Sequence, residues 1–168
     1  IKDIQAKNNN CEFALGLAPS FSSSVIKENY KTKNIKIIDQ DPLKLLECSD
    51  VAIVTSGTIS LQASLMGTPC VVGYKLSFLS WVLSKILIKV KYISMTNIIA
   101  DRMIIPELIQ YKMTPQNIGD QINKLLNESK YYDAVQESLL EVKNIFLNKQ
   151  NVMKNAAKII HTMCNEKN

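Results

Sequence analysis

Four short apolar runs punctuate the first half of the chain, CEFALGLA (11–18), NIKIID (34–39), VAIVT (51–55) and PCVVGY (69–74). Each is followed by a stretch in helical period: SSSVIKENYK, DPLKLLECS, GTISLQASLM and a longer segment beyond Tyr74. Strands separated by single helices have no hairpin through which to pair, so they are predicted to lie parallel with right-handed crossovers. The fold class that follows is α/β, a Rossmann-like parallel sheet with helices on both faces. VAIV and CVV lack the polar alternation of a half-exposed strand, which predicts central positions buried on both faces. From about Thr114 only helical period remains. TPQNIGDQINKLLN opens with a Thr cap and Pro at the first helical position, and YYDAVQESLLEVKNIFL and NVMKNAAKIIHTMC continue the pattern. One domain over residues 1–168 is expected, with a helical C-terminal extension from about 114.

The segment after Tyr74 carries two apolar faces. Leu79, Val82, Leu83, Ile86, Leu87 and Val90 share one stripe, predicted to pack on the sheet. Opposite them stand Phe78, Trp81, Lys85, Ile88 and Lys89, large apolar groups mixed with cations. Leu76 to Val90 is too short to span a bilayer. Two readings stay open for that outer face: a helix lying in a membrane interface with its lysines at anionic headgroups, or a contact with another domain or subunit.

Between VAIVT and the next helical pattern stands Ser56-Gly57-Thr58. A parallel strand running into a helix points its carboxyl end and the helix N-terminus at one crevice, where open α/β sheets bind ligands. Glycine there lets an anion approach the backbone, and the first-turn N–H groups with the helix dipole stabilise negative charge. Ser56 and Thr58 place hydroxyls beside it. Taken from the residues alone, the tripeptide is either a helix cap or an anion-binding turn. It is neither a Walker A sequence nor GxGxxG, so a nucleoside triphosphate or a dinucleotide does not follow.

Twenty basic residues against fifteen acidic ones, net +5 with pI near 9.0, suit a phosphate-bearing ligand, an anionic membrane or nucleic acid. No RNP-type aromatic motif, Cys/His finger or Arg-rich tract accompanies the charge, which argues against nucleic acid. Cys11, Cys48, Cys70 and Cys164 have no CxxC spacing and read as buried, reduced thiols. With no signal peptide at its start, a cytoplasmic address is expected. The chain opens on Ile1 rather than Met, so a segment upstream is expected.

EFALGLAPS (12–20), the long stretch from IIDQDPLKLLECSDVAIVTSGTISLQASLMGTPCVVGYK to NIIADRMIIPELIQ (37–110), and TPQNIGDQINKLL (114–126) occur in that order. Together they resemble the C-terminal domain of lipid-A-disaccharide synthase, an inverting glycosyltransferase of GT-B fold with two Rossmann-like domains across a cleft. The resemblance implies transfer of 2,3-diacylglucosamine from UDP-2,3-diacylglucosamine to the 6-hydroxyl of 2,3-diacylglucosamine 1-phosphate, forming the β-1,6 disaccharide and UDP. It places Ser56, Gly57 and Thr58 at the donor diphosphate and Gln62 where a ribose-binding Glu is common. It adds Asn97 and Arg102 as donor-binding residues, with Thr96 where Pro is usual and Asp101 where Gly is usual. Glu107 and Gln110 match its PELLQ-type residues, although Pro106 and Glu107 also read as ordinary helix-start chemistry.

The catalytic base is not found in this sequence. The one histidine, His161, reads as an ordinary packed or surface residue of the last helical stretch. The resemblance implies that the acceptor-side carboxylate belongs to an N-terminal domain, supplied in the same longer chain or by a partner. It also implies action at the cytoplasmic face of the inner membrane. No metal and no cofactor are expected. Two other readings remain: a different UDP-sugar enzyme of this fold, such as a UDP-N-acetylglucosamine transferase, or a non-catalytic membrane or protein adaptor using the Phe78/Trp81/Lys85 face.

Overall fold

Strand pairing among the described residues is parallel throughout, as expected for strands whose connections are helical. The computed structural model describes residues 1–18, 21, 23–29, 34–39, 41–77, 80–81, 90–148 and 152–165. Helix α1 (Lys2–Lys7) precedes β1 (Ala14–Gly16), α2 (Ser23–Asn29), β2 (Lys36–Ile38), α3 (Pro42–Glu47) and β3 (Ala52–Thr55). Then come α4 (Thr58–Met66), β4 (Cys70–Tyr74), α5 (Met95–Ala100) and β5 (Glu107–Ile109). A short 3-10 turn, Gln110–Lys112, leads to α6 (Pro115–Asn127), α7 (Ser129–Asn148) and α8 (Val152–Asn165). The described strands form two open sheets, β1-β2 and β3-β4-β5. This mixed α/β arrangement is consistent with the Rossmann-like half of a GT-B glycosyltransferase.

β4 is the centre of the larger sheet, and Cys70, Val71 and Val72 are fully buried, as the unbroken apolar run predicts. β3 corrects the same expectation. It lies at the end of its sheet, and Val54 is buried while Ile53 is 53% exposed. Ile53 points to a face of the sheet left exposed at β3, so an apolar run is not sufficient evidence of burial on two faces. PELI is a second correction, because Glu107 opens a strand and not a helix. Val72 N–H donates to the Pro106 carbonyl at 2.9 Å, and this pairing with β4 overrides the local helix-start signal.

Helices α4 and α6 pack against β4, and α7 packs in turn on α4 and α6. Val135, Leu139 and Val142 form the buried stripe of α7, at the spacing of one helical face. Burying each such side chain contributes about 1.5–3 kcal/mol. Thr114 caps α6 as predicted, its hydroxyl accepting from Asn117 N–H at 3.1 Å, with Pro115 next. α8 carries Ile159, Ile160 and Met163 on an uncovered side, each about 60% exposed, and His161 is exposed there too.

Two further expectations are corrected. Of the four free thiols only Cys70 is buried, whereas Cys48 and Cys164 are exposed and Cys11 is half-buried. Burial pushes the Cys70 thiol up to about 12, so it packs as a neutral apolar group. Val90, placed by periodicity on a buried stripe, is 59% exposed and lies outside helical structure, where a 3.6-residue period no longer aims side chains. The rest of that stripe, Leu79, Val82, Leu83, Ile86 and Leu87, lies outside the described residues.

Candidate functional site

The register of the larger sheet aligns Thr55 with Gly73 and Gly73 with Leu108. Three segments therefore leave the carboxyl ends of β3, β4 and β5 along one edge: Ser56-Gly57, Lys75-Leu76 and Gln110. Gly57 is the N-cap of α4 at φ 120°, ψ −152°, a region of backbone space that is essentially glycine's alone. Asp41, Ser94 and Thr114 close the first turns of α3, α5 and α6 with side-chain hydrogen bonds. Gly57 provides none. The first-turn amides of α4, at Thr58 and Ile59, have no intrahelical acceptor by helix geometry.

Hydroxyls fix the turn from behind. Ser60 Oγ donates to the Gly57 carbonyl at 2.7 Å, and Ser64 Oγ to the Ser60 carbonyl at 2.9 Å. Thr96 Oγ1 lies 2.6 Å from Ser64 Oγ and 3.1 Å from the Ser60 carbonyl, which ties α5 to α4. Ser56 Oγ donates to the Ile93 carbonyl at 2.8 Å. Its proton is therefore committed to the protein, and it is Thr58, exposed at the first helical position, whose hydroxyl stands at the surface of the turn. Gln62, four residues on and half-buried, shares the Thr58 face of α4.

Asn97, which the resemblance places among the donor-binding residues, is turned into the chain. It is fully buried, and its Oδ1 accepts from Ile104 N–H at 2.8 Å and Ile105 N–H at 3.1 Å. Its Nδ2 donates to the Ile105 carbonyl at 2.9 Å and to Glu107 Oε1 at 2.8 Å. All four hydrogen-bonding positions of the amide are filled from inside the chain, so Asn97 clamps the loop before β5. Glu107 is likewise turned inward, accepting from Ile93 N–H, Ser94 N–H and Ser94 Oγ besides Asn97. Gln110, held at φ 54°, pairs its amide with the Leu76 backbone, accepting at 2.7 Å and donating at 3.2 Å.

Arg102 is not brought to the turn. Ser56 reaches Ile93, just before α5, whereas Arg102 follows the far end of that helix and pairs with Glu141 on α7. The six residues of α5 put about 9 Å between those ends. Sequence reasoning passed over Ser94, which caps α5 through Asn97 N–H and also anchors Glu107; a Ser three residues ahead of Asn97 was the available signal. Phe78, Lys85 and Lys89 of the outer face lie outside the described residues, and Trp81 is half-buried. Among the described residues no helix is long and apolar enough to cross a membrane. A surface depression lined by Glu47, Met66, Lys143 and Phe146 lies at the opposite end of α4 from Gly57.

The family described as lipid-A-disaccharide synthetase matches residues 1–162. The chain belongs to this family. It is a glycosyltransferase family of lipid A biosynthesis. Lipid-A-disaccharide synthase of Coxiella burnetii (strain CbuG_Q212) is 31% identical over 162 residues, covering 96% of this chain and 43% of that protein. The Rickettsia conorii (strain ATCC VR-613 / Malish 7) protein of the same name is 35% identical over 140 residues, 82% of this chain and 31% of its own length. For Anaeromyxobacter dehalogenans (strain 2CP-C) the figures are 31% over 143 residues, 83% and 37%. The chain thus spans 31–43% of the length of these relatives.

Both positions at which the resemblance expects a different residue have a structural account. Thr96 sits in the first turn of α5, and its hydroxyl bonds back to α4. Asp101 caps the end of α5 in the left-handed region at φ 48°. Glycine adopts that conformation without strain, and aspartate is among the side chains that tolerate it. Asp101→Gly is therefore expected to raise unfolding free energy by about 0.5–1 kcal/mol. The exposed Lys91–Asp101 pair at 4.0 Å that it removes contributes little. Urea denaturation measures the change, and a loss of stability would contradict the assigned cap.

Proposed function

We propose that this chain supplies the donor-binding half of a lipid-A-disaccharide synthase. In this reading the amides opening α4 at Thr58 and Ile59 bind the diphosphate of UDP-2,3-diacylglucosamine, and Gln62 meets the ribose hydroxyls. One observation carries it: α4 begins at a glycine in a glycine-only conformation with no side-chain cap, in a chain of the synthetase family. During transfer to the 6-hydroxyl of 2,3-diacylglucosamine 1-phosphate, charge accumulates on the departing UDP. Fixed amide dipoles at a helix N-terminus stabilise that charge without reorganising as it develops. The hydroxyls of Ser60, Ser64 and Thr96 hold the dipoles in place.

The general base and the opposite wall of the cleft belong, in this proposal, to the part of the synthase beyond the span matched here. The chain by itself is then a weak nucleotide binder without turnover. Residence at the cytoplasmic face of the inner membrane, through the outer face that includes Trp81, completes the reading, since both substrates carry acyl chains. Nuclear magnetic resonance titration with UDP is expected to move the Gly57, Thr58 and Ile59 amide resonances with a Kd on the order of 1 mM, equivalent to about 4 kcal/mol. UMP, lacking the second phosphate, should move them less. Equal shifts by both nucleotides, or shifts confined to the Met66/Phe146 depression, would place the nucleotide elsewhere.

A further inference from the structure

We infer that Glu107 is a positioning residue for the Ser56-Gly57-Thr58 turn, acting through the peptide unit that joins Ile93 to Ser94. That amide is held from both ends. Its carbonyl, on Ile93, accepts from Ser56 Oγ at 2.8 Å, and its N–H, on Ser94, donates to Glu107 Oε1 at 3.0 Å. The same carboxylate takes Ile93 N–H on Oε2 at 2.9 Å and Ser94 Oγ on Oε1 at 2.7 Å. An anionic acceptor on the N–H side polarises the peptide and makes its carbonyl a stronger partner for Ser56. The backbone just ahead of Gly57 is thereby anchored to the first residue of β5, a strand paired to the centre of the sheet.

Four donors converge on the carboxylate: two backbone N–H groups, one hydroxyl and the Asn97 amide. An acceptor-only group satisfies all of them, whereas a carboxamide sets its own N–H against at least one in either orientation. Glu107→Gln therefore keeps the shape but weakens the link: with its carbonyl at the Oε1 position it opposes Ile93 N–H, and it no longer carries the charge that polarises the peptide. Glu107 acts from within the protein, so its effect on a nucleotide passes through Ser56.

The experiment uses this chain and its variants, and only its nucleotide arm rests on the function proposed above. In the ligand-free protein, Glu107→Gln is expected to shift the Ser56 and Gly57 amide resonances, remote from it in sequence. With UDP as probe, Glu107→Gln and Ser56→Ala should each weaken binding by about tenfold, the size of one charge-assisted hydrogen bond. The double variant should be no weaker than the worse single one, because both cut the same chain of contacts. Thr68→Val, which removes a buried bond to the Leu46 carbonyl, is the control that lowers stability while leaving UDP affinity unchanged. Should Glu107→Gln not fold, Ser56→Ala tests the link from the other end through the Ile93 and Ser94 resonances. Unmoved resonances in the ligand-free variants, or additive losses in the double variant, overturn the positioning role. Absence of any UDP-induced shift in the parent chain would instead overturn the nucleotide reading, with the ligand-free spectra still deciding the role of Glu107.

Discussion

Asn97→Asp is expected to destabilise the chain by about 3–5 kcal/mol at neutral pH, the range for an uncompensated buried charge. The substitution puts an oxygen where Nδ2 now faces the Ile105 carbonyl at 2.9 Å and Glu107 Oε1 at 2.8 Å. Two attractive contacts become repulsive, one of them between carboxylates, at a fully buried position. A domain of this size has about 5–15 kcal/mol in total, so the variant stands near the edge of folding. The sign with pH follows from the same geometry. Burial and the neighbouring carboxylate raise the folded-state pKa of the introduced acid above its unfolded value. The folded state then retains a proton that the unfolded chain has lost, and stability falls as pH rises through that interval. Urea midpoints at pH 5 and pH 8 should show the larger deficit at pH 8. Asn97→Ala, with no charge, should show a deficit that varies little between them. A variant within about 1 kcal/mol of the parent would mean that the clamp is not formed.

Gly57→Ala is expected to cost about 1–3 kcal/mol of stability and to abolish measurable UDP binding. An added Cβ at Gly57 meets no atom within 4 Å, so crowding has no part in the effect. The cost is the backbone at φ 120°, which an alanine leaves by rotating the peptide that precedes Thr58. That rotation redirects the amides opening α4, and an anion site made of backbone dipoles loses its aim. Gly67→Ala provides the comparison. Gly67 ends α4 at φ 79°, also with an open Cβ position, so the variant should lose stability while binding UDP as before. If Gly57→Ala binds UDP normally, the turn is a helix cap and nothing more.

The interior of the chain was legible in the sequence to the extent that local pattern and burial coincide. The parallel pairing, the buried CVV run, the Thr114-Pro115 helix start and the glycine at the turn all follow from one segment at a time. Where a neighbour in space decided, the reading failed. PELI pairs with β4 despite a helix-start signature, Ile53 lies on an exposed face of β3, and Val90 lies outside helical structure.

For the candidate site the division is sharper. Residue type identified Ser56 and Thr58, and the family resemblance Asn97, Arg102 and Glu107, as polar groups capable of meeting a phosphate or sugar, because chemistry is a property of the side chain. Direction is not. Asn97 and Glu107 face inward since each meets several buried backbone groups that would otherwise be unpaired. Arg102 is carried to the far end of α5 by the helix that separates it from Ser56. The sequence by itself determined the α/β class, the family and the glycine that opens α4, since each is written in contiguous residues. Only the tertiary structure decided which polar side chains support the turn and which stand open on its surface, since hydrogen-bond partners come from segments distant along the chain.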